Sequence, residues 1–169
     1  EYEASAILRG VCSALTAEHG KGIVHRDIKP ANICIIPDPD SVLGERPKLL
    51  DFGIAKLTDI GLAGSATKTG AVMGTPTYMS PEQCRGTGDV DHRADLYSLG
   101  CIYYELVTGR PPFVDRGAGE LIGAHLFMQP EPPSRHIGGL SAEAEALTMS
   151  LLAKSPAERP QTAAELAQR

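Results

Sequence analysis

Residues 25–32 read His25-Arg26-Asp27-Ile28-Lys29-Pro30-Ala31-Asn32, and Asp51-Phe52-Gly53 follows after an apolar run, a turn-rich insert and a second apolar run. A carboxylate, a cation, an amide and a second carboxylate at this spacing are the groups that a phosphoryl-transfer site needs. Asp27 is placed to take the proton of an attacking hydroxyl, and Lys29 to neutralise charge on the phosphoryl group in flight. Asn32 and Asp51 supply the hard oxygen ligands that Mg²⁺ (or Mn²⁺) prefers. Catalysis of this kind is mostly positioning and electrostatics, so these residues belong on short loops braced by strands. The flanking runs Gly22-Ile23-Val24, Ile33-Cys34-Ile35-Ile36 and Lys48-Leu49-Leu50 have the character of such braces.

Outward from this stretch the pattern turns helical. Ile7, Leu8, Val11, Cys12 and Leu15 recur at helical spacing over residues 3–19, and Gly20 and Gly22 end the run. Residues 37–47, with Asp38, Pro39, Asp40 and Gly44, read as a turn-rich insertion. Residues 58–71 are rich in Gly, Ala, Ser and Thr, a composition that buries little surface. Ser80-Pro81-Glu82-Gln83 supplies an N-cap, a first-turn proline and a capping-box glutamine, so a short helix starts there. Residues 91–108 are apolar on every face and stop at Gly109 and Pro111, the pattern of a buried helix. Further helices are expected over 117–128, 141–153 and from 163 onward, the last with a capping box at Thr162 and Glu165. Pro130, Pro132 and Pro133 mark an irregular linker.

The ordered motifs resemble those of eukaryote-type protein kinases. His25 to Asn32 is similar to the catalytic loop and Asp51-Phe52-Gly53 to the metal-binding triplet. Gly74-Thr75-Pro76-Thr77-Tyr78-Met79-Ser80-Pro81-Glu82 resembles the substrate-docking segment that ends in Ala-Pro-Glu, with Ser80 in place of Ala. Asp95-Leu96-Tyr97-Ser98-Leu99-Gly100 resembles the family's Asp-x-Trp-Ser-x-Gly, with Tyr97 in the Trp position. Arg159, in Glu158-Arg159-Pro160, matches the arginine that pairs with the Pro-Glu glutamate, here Glu82.

The resemblance implies an α+β, mainly α-helical fold, the kinase-like C-terminal lobe, with a few short strands around the catalytic loop. It implies ATP and Mg²⁺ as cofactors and protein Ser/Thr hydroxyls as acceptors, Lys29 being the Ser/Thr-type signature. Asp27, Lys29 and Thr75 would be catalytic, with Thr75 bridging the other two. Lys29, Asn32 and Asp51 would hold the nucleotide, the last two through the metal. His25 would pack on Phe52 beside Gly53, Asp95 would hold catalytic-loop amides, and Glu82 with Arg159 would be architectural. Arg26, directly before the aspartate, resembles kinases switched by phosphorylation, with Thr67 and Thr69 as candidates. That Thr-x-Thr pair and Gly109-Arg110-Pro111-Pro112-Phe113 resemble the bacterial eukaryote-like Ser/Thr group. A Gly-rich loop, a strand lysine and a helix glutamate are not found in the sequence, so residues 1–169 are expected to be the C-terminal lobe without its N-terminal lobe, a partner in cis, and inactive alone.

Composition agrees with that assignment and excludes others. Hydrophobic content of 42% and charged content of 22% are those of a globular domain. The net charge of −5 with dispersed Lys and Arg argues against a nucleic-acid partner. No apolar run approaches the roughly 20 residues of a membrane span. Cys12, Cys34, Cys84 and Cys101 are too scattered for a zinc site, so a cytoplasmic setting is expected, either free or as the inner part of a membrane-anchored protein. His19, His92, His125 and His136 share no spacing and receive no role. Two competing readings stand beside the kinase. A pseudokinase or scaffold lobe would act by binding, against which the intact Asp27, Lys29, Asn32 and Asp51 argue. A small-molecule phosphotransferase of related fold would typically lack Pro81-Glu82 and its Arg159 partner.

Overall fold

The computed structural model describes residues 1–41, 43–50, 76–86, 88, 90–114 and 117–168. Helix α1 spans Tyr2–His19 and buries Ala4, Leu8, Val11, Cys12 and Leu15 along one stripe. Gly22, at φ 76°, turns the chain out of the helix, in a conformation that a side chain disfavours. Strands β1 (Ile33–Pro37) and β2 (Glu45–Leu49) pair antiparallel, with Ile33 opposite Leu49 and Pro37 opposite Glu45. The hairpin lies against α1 because Gly10 has no side chain: a Cβ there would collide with the Pro47 ring. Pro47 is tolerated in β2 because a two-stranded sheet has edges where no ladder donor is needed.

Helix α2 (Pro81–Arg85) carries both halves of the capping box, and Gly86 closes it at φ 66°. Helix α3 (Arg93–Thr108) is the centre of the domain, with Ala94 through Tyr104 and Val107 buried. Helices α4 (Ala118–Phe127), α5 (Ala142–Leu151) and α6 (Ala163–Ala167) follow. The main core joins Leu8, Val11 and Leu15 of α1 to Leu96, Leu99 and Tyr103 of α3, Leu151 of α5 and Leu166 of α6. Burying a side chain of this size is worth about 1.5–3 kcal/mol, so α3, buried on every face from Ala94 to Tyr104 and exposing Leu106 only in its last turn, is the main contributor. A Cβ at Gly100 would lie 2.6 Å from Leu151 Cβ, so the glycine sets how closely α3 and α5 approach. This is the α-rich architecture with a small sheet that the motifs imply.

Three local expectations are corrected. Gly22-Ile23-Val24 forms no strand. Its region is tied by other means: Ile23 N donates to Glu18 O at the end of α1, and the amides of His25 and Arg26 go to a side chain described below. The insertion is shorter than 37–47, because Pro37 and residues 45–47 belong to the strands of the hairpin. Helix α3 begins at Arg93 rather than residue 91, since the Asp91 carboxylate accepts from Arg93 N at 2.9 Å and so makes the turn before it. Thr162 caps α6 by accepting from Glu165 N at 3.0 Å, and the Glu165 carboxylate reaches Gln161 N at 3.0 Å.

Candidate active site

Asp27, Lys29 and Asn32, the residues expected to carry the chemistry, sit on the loop between α1 and β1. Asp27 and Lys29 approach through Oδ2 and Nζ at 3.0 Å, both partly exposed. Asn32, in the short 3₁₀ turn that enters β1, donates through Nδ2 to the Asp27 carbonyl at 2.8 Å and to its Oδ2 at 3.4 Å. A carboxylate, an ammonium and an amide therefore converge within a six-residue span of chain. With Nδ2 engaged, Asn32 Oδ1 is the atom left to ligate a cation, which fits the donor chemistry of a Mg²⁺ site.

Asp95 fixes the loop from below. It is fully buried at the start of α3, and a buried carboxylate needs hydrogen-bond donors. Its Oδ2 accepts from His25 N at 2.9 Å and its Oδ1 from Arg26 N at 2.8 Å. His19 Nε2 adds a third contact, 2.9 Å from Oδ2. The His19 contribution was not readable from spacing. The available signal was its place in the last turn of α1, directly before a loop that must be anchored to a buried acid. His25 is buried and bonded at both ring nitrogens. Asp27 N donates to Nδ1 at 3.3 Å, so Nε2 carries the proton and donates to Leu50 O at 3.1 Å.

Arg26 is the one non-glycine residue at positive φ, 63°, among the described residues. Its guanidinium donates to Val90 O at 3.3 Å, and its buried Nε has no hydrogen-bond partner among the described residues. Glu82 of α2 and Arg159 form a buried bidentate pair, at 2.7 Å and 2.9 Å. Burial alone would raise the Glu82 carboxyl pKa, but the hydrogen bonds and charge of Arg159 outweigh it and hold the group below its ordinary value. Asp51, Phe52, Gly53, Thr67, Thr69 and Thr75 lie outside the described residues.

A second polar cluster lies behind α2. Tyr97 Oη is 2.9 Å from the buried His125 Nδ1, and Lys154 Nζ donates to Ala124 O at 3.2 Å. Lys154 also lies 4.8 Å from the centre of the Phe113 ring. Burial lowers the Lys154 ammonium to about 8 and His125 to about 4. These contacts join α3, α4 and the loop after α5.

The protein kinase domain family matches residues 1–169. A serine/threonine-protein kinase PknB of Mycobacterium tuberculosis is 46% identical over 161 residues, which cover 95% of this chain and 24% of that protein. The PknB of Mycobacterium leprae is 44% identical over 164 residues, or 97% of this chain and 25% of that protein. The serine/threonine-protein kinase pkn3 of Myxococcus xanthus is 47% identical over 163 residues, or 93% of this chain and 29% of that protein. The chain thus spans about a quarter of the length of the curated relatives it matches. With that likeness over nearly every residue, the chain belongs to the protein kinase domain family, in the eukaryote-like Ser/Thr group that has bacterial members.

Proposed function

We propose that this chain is the catalytic, C-terminal lobe of a protein Ser/Thr kinase, which moves the γ-phosphoryl group of ATP to Ser or Thr hydroxyls of proteins. The observation that carries the reading is the convergence of Lys29 and Asn32 on Asp27 Oδ2. Asp27 takes the proton of the acceptor hydroxyl as its oxygen bonds to phosphorus and the bond to the ADP oxygen breaks. Lys29, already 3.0 Å from Asp27, stands where a cation offsets charge on the transferring group. Asn32 and Asp51 would hold Mg²⁺, which when bound neutralises phosphate charge. Thr75 is assigned to the same site through the family motif, bridging Asp27 and Lys29. A cytoplasmic setting supplies ATP and keeps thiols reduced, in keeping with four free cysteines. No helix among the described residues is long and apolar enough to cross a membrane.

Phosphoryl transfer from labelled ATP to a generic protein substrate tests the proposal. The full-length kinase is expected to label Ser and Thr in a Mg²⁺-dependent way. The 169-residue chain alone is expected to give only background, because its sequence lacks the Gly-rich loop and strand lysine that grip the other phosphates. Transfer by the isolated chain that persists at the full-length rate would overturn the assignment as a half-site.

Control is assigned to Arg26. Its guanidinium has no carboxylate partner among the described residues, and a phosphothreonine brings close to two negative charges. Thr67 and Thr69 are the proposed acceptors, and phosphopeptide mapping of the active full-length enzyme is expected to find phosphate on one or both. Full activity after complete phosphatase treatment would rule this switch out.

A further inference from the structure

Gln83 has two bonds that lead in different directions. Its Oε1 accepts from Ser80 N at 3.0 Å, the back half of the α2 capping box. Its Nε2 donates to the carbonyl of Arg26 at 2.7 Å, 57 residues earlier in the chain. The amide orientation is fixed by these neighbours, since a flip would set two donors together and two acceptors together. The capping box needs only the first bond. The second reaches the peptide group that joins Arg26 to Asp27.

That peptide group is held on both sides. Gln83 takes its oxygen, and its N–H donates to His25 Nδ1 at 3.3 Å. Arg26 itself sits at φ 63°, a conformation a bulky side chain keeps only where the surroundings over-determine it. Asp95 Oδ1 fixes its N–H and Val90 O its guanidinium, which leaves the carbonyl as the remaining handle. Without a donor at that carbonyl, only the longer bond from Asp27 N to His25 Nδ1 still restrains the peptide group, so ψ of Arg26 and φ of Asp27 can relax together. The Asp27 carboxylate would then move off the line to its acceptor hydroxyl.

We infer that Gln83 is a positioning residue, tying the backbone of Arg26 to helix α2 and so setting the aim of Asp27. The inference rests on the reading of Asp27 as the base. It also links the helix that closes the docking segment to the catalytic loop through one side chain.

The test uses three variants of the full-length kinase. Gln83→Glu keeps an acceptor for Ser80 N and sets an oxygen against the Arg26 carbonyl. Its kcat is expected to fall roughly 10- to 100-fold, the cost of misplacing a reacting group by about an ångström, with KM for Mg-ATP and peptide nearly unchanged. Gln83→Lys keeps a donor for the carbonyl and gives up the cap, so it is expected to recover most of the kcat lost in Gln83→Glu while melting at a lower temperature. Activity that follows melting temperature across both variants, or a Gln83→Glu enzyme with wild-type kcat, overturns the inference. Asp27→Asn, assayed alongside, separates the two claims. If it retains activity, the base assignment fails. If it is inactive while Gln83→Glu is not, only the Gln83 tether fails.

Discussion

Asp27→Asn in the full-length kinase is expected to lower kcat by about 10²–10⁴-fold, the range that a positioned base contributes, while Mg-ATP binds with nearly unchanged affinity. Asparagine keeps the size of the side chain and one oxygen to accept from Lys29 Nζ, which lies 3.0 Å from Asp27 Oδ2. What it loses is the ability to accept a proton at neutral pH. The backbone contacts from Asp95, His25 and Gln83 do not involve the Asp27 side chain and should hold the loop in place. Asp51→Asn provides the contrast: a lost metal ligand is expected to weaken nucleotide binding and rate together. Nucleotide titration and steady-state kinetics on both variants read this out. Equal losses of nucleotide affinity in the two would contradict the separate roles.

Local chemistry was legible in the sequence, and distant partnership was legible only where a motif carried it. The helices were readable because apolar residues recur with a 3.6-residue period, and Ser80 with Gln83 announced α2 through its cap. Asp27, Lys29 and Asn32 converge because they sit within one turn-like span, where spacing nearly determines geometry. Glu82 and Arg159 are 77 residues apart, and only the family pattern joins them in advance. Gly22-Ile23-Val24 misled because an extended apolar run looks the same whether its amides meet a strand or a carboxylate. Here the following amides meet Asp95, a side chain 70 residues away. His19 is unreadable from sequence for the same reason. Its partner is that buried carboxylate, 76 residues distant, and no periodicity encodes such a pairing. The local bond of Gln83 to Ser80 is legible from spacing, and its long one to Arg26 is not.

Arg159→Met is expected to destabilise the full-length kinase by about 3–5 kcal/mol, because losing one partner leaves the Glu82 charge buried without compensation. Arg159→Lys, which keeps the charge but not the fork, is expected to cost a large part of that. The guanidinium uses all of its donors. Nη1 reaches Glu82 Oε1 and Arg93 O, Nη2 reaches Glu82 Oε2 and Lys154 O, and Nε reaches Ala153 O. It also lies over the Tyr97 ring, 4.9 Å from its centre. An ammonium has three donors and no planar fork, so it cannot serve both carboxylate oxygens and three carbonyls. Exchanging both partners, Glu82→Met with Arg159→Met, is expected to recover part of the loss by removing the buried charge. Recovery stays incomplete because the carbonyls of Arg93, Ala153 and Lys154 lose donors in either case. The pair also sets an acid limit. Glu82 is held below its ordinary 4.5 in the folded protein, so its contribution is present above that pH and is lost as the pH falls through the lower, folded value. Melting curves from pH 7 to pH 3 should show wild type losing stability over that fall, and the double variant losing less. A lysine variant that melts with wild type would mean that the bidentate fork contributes little here and that packing against Tyr97 holds the segment.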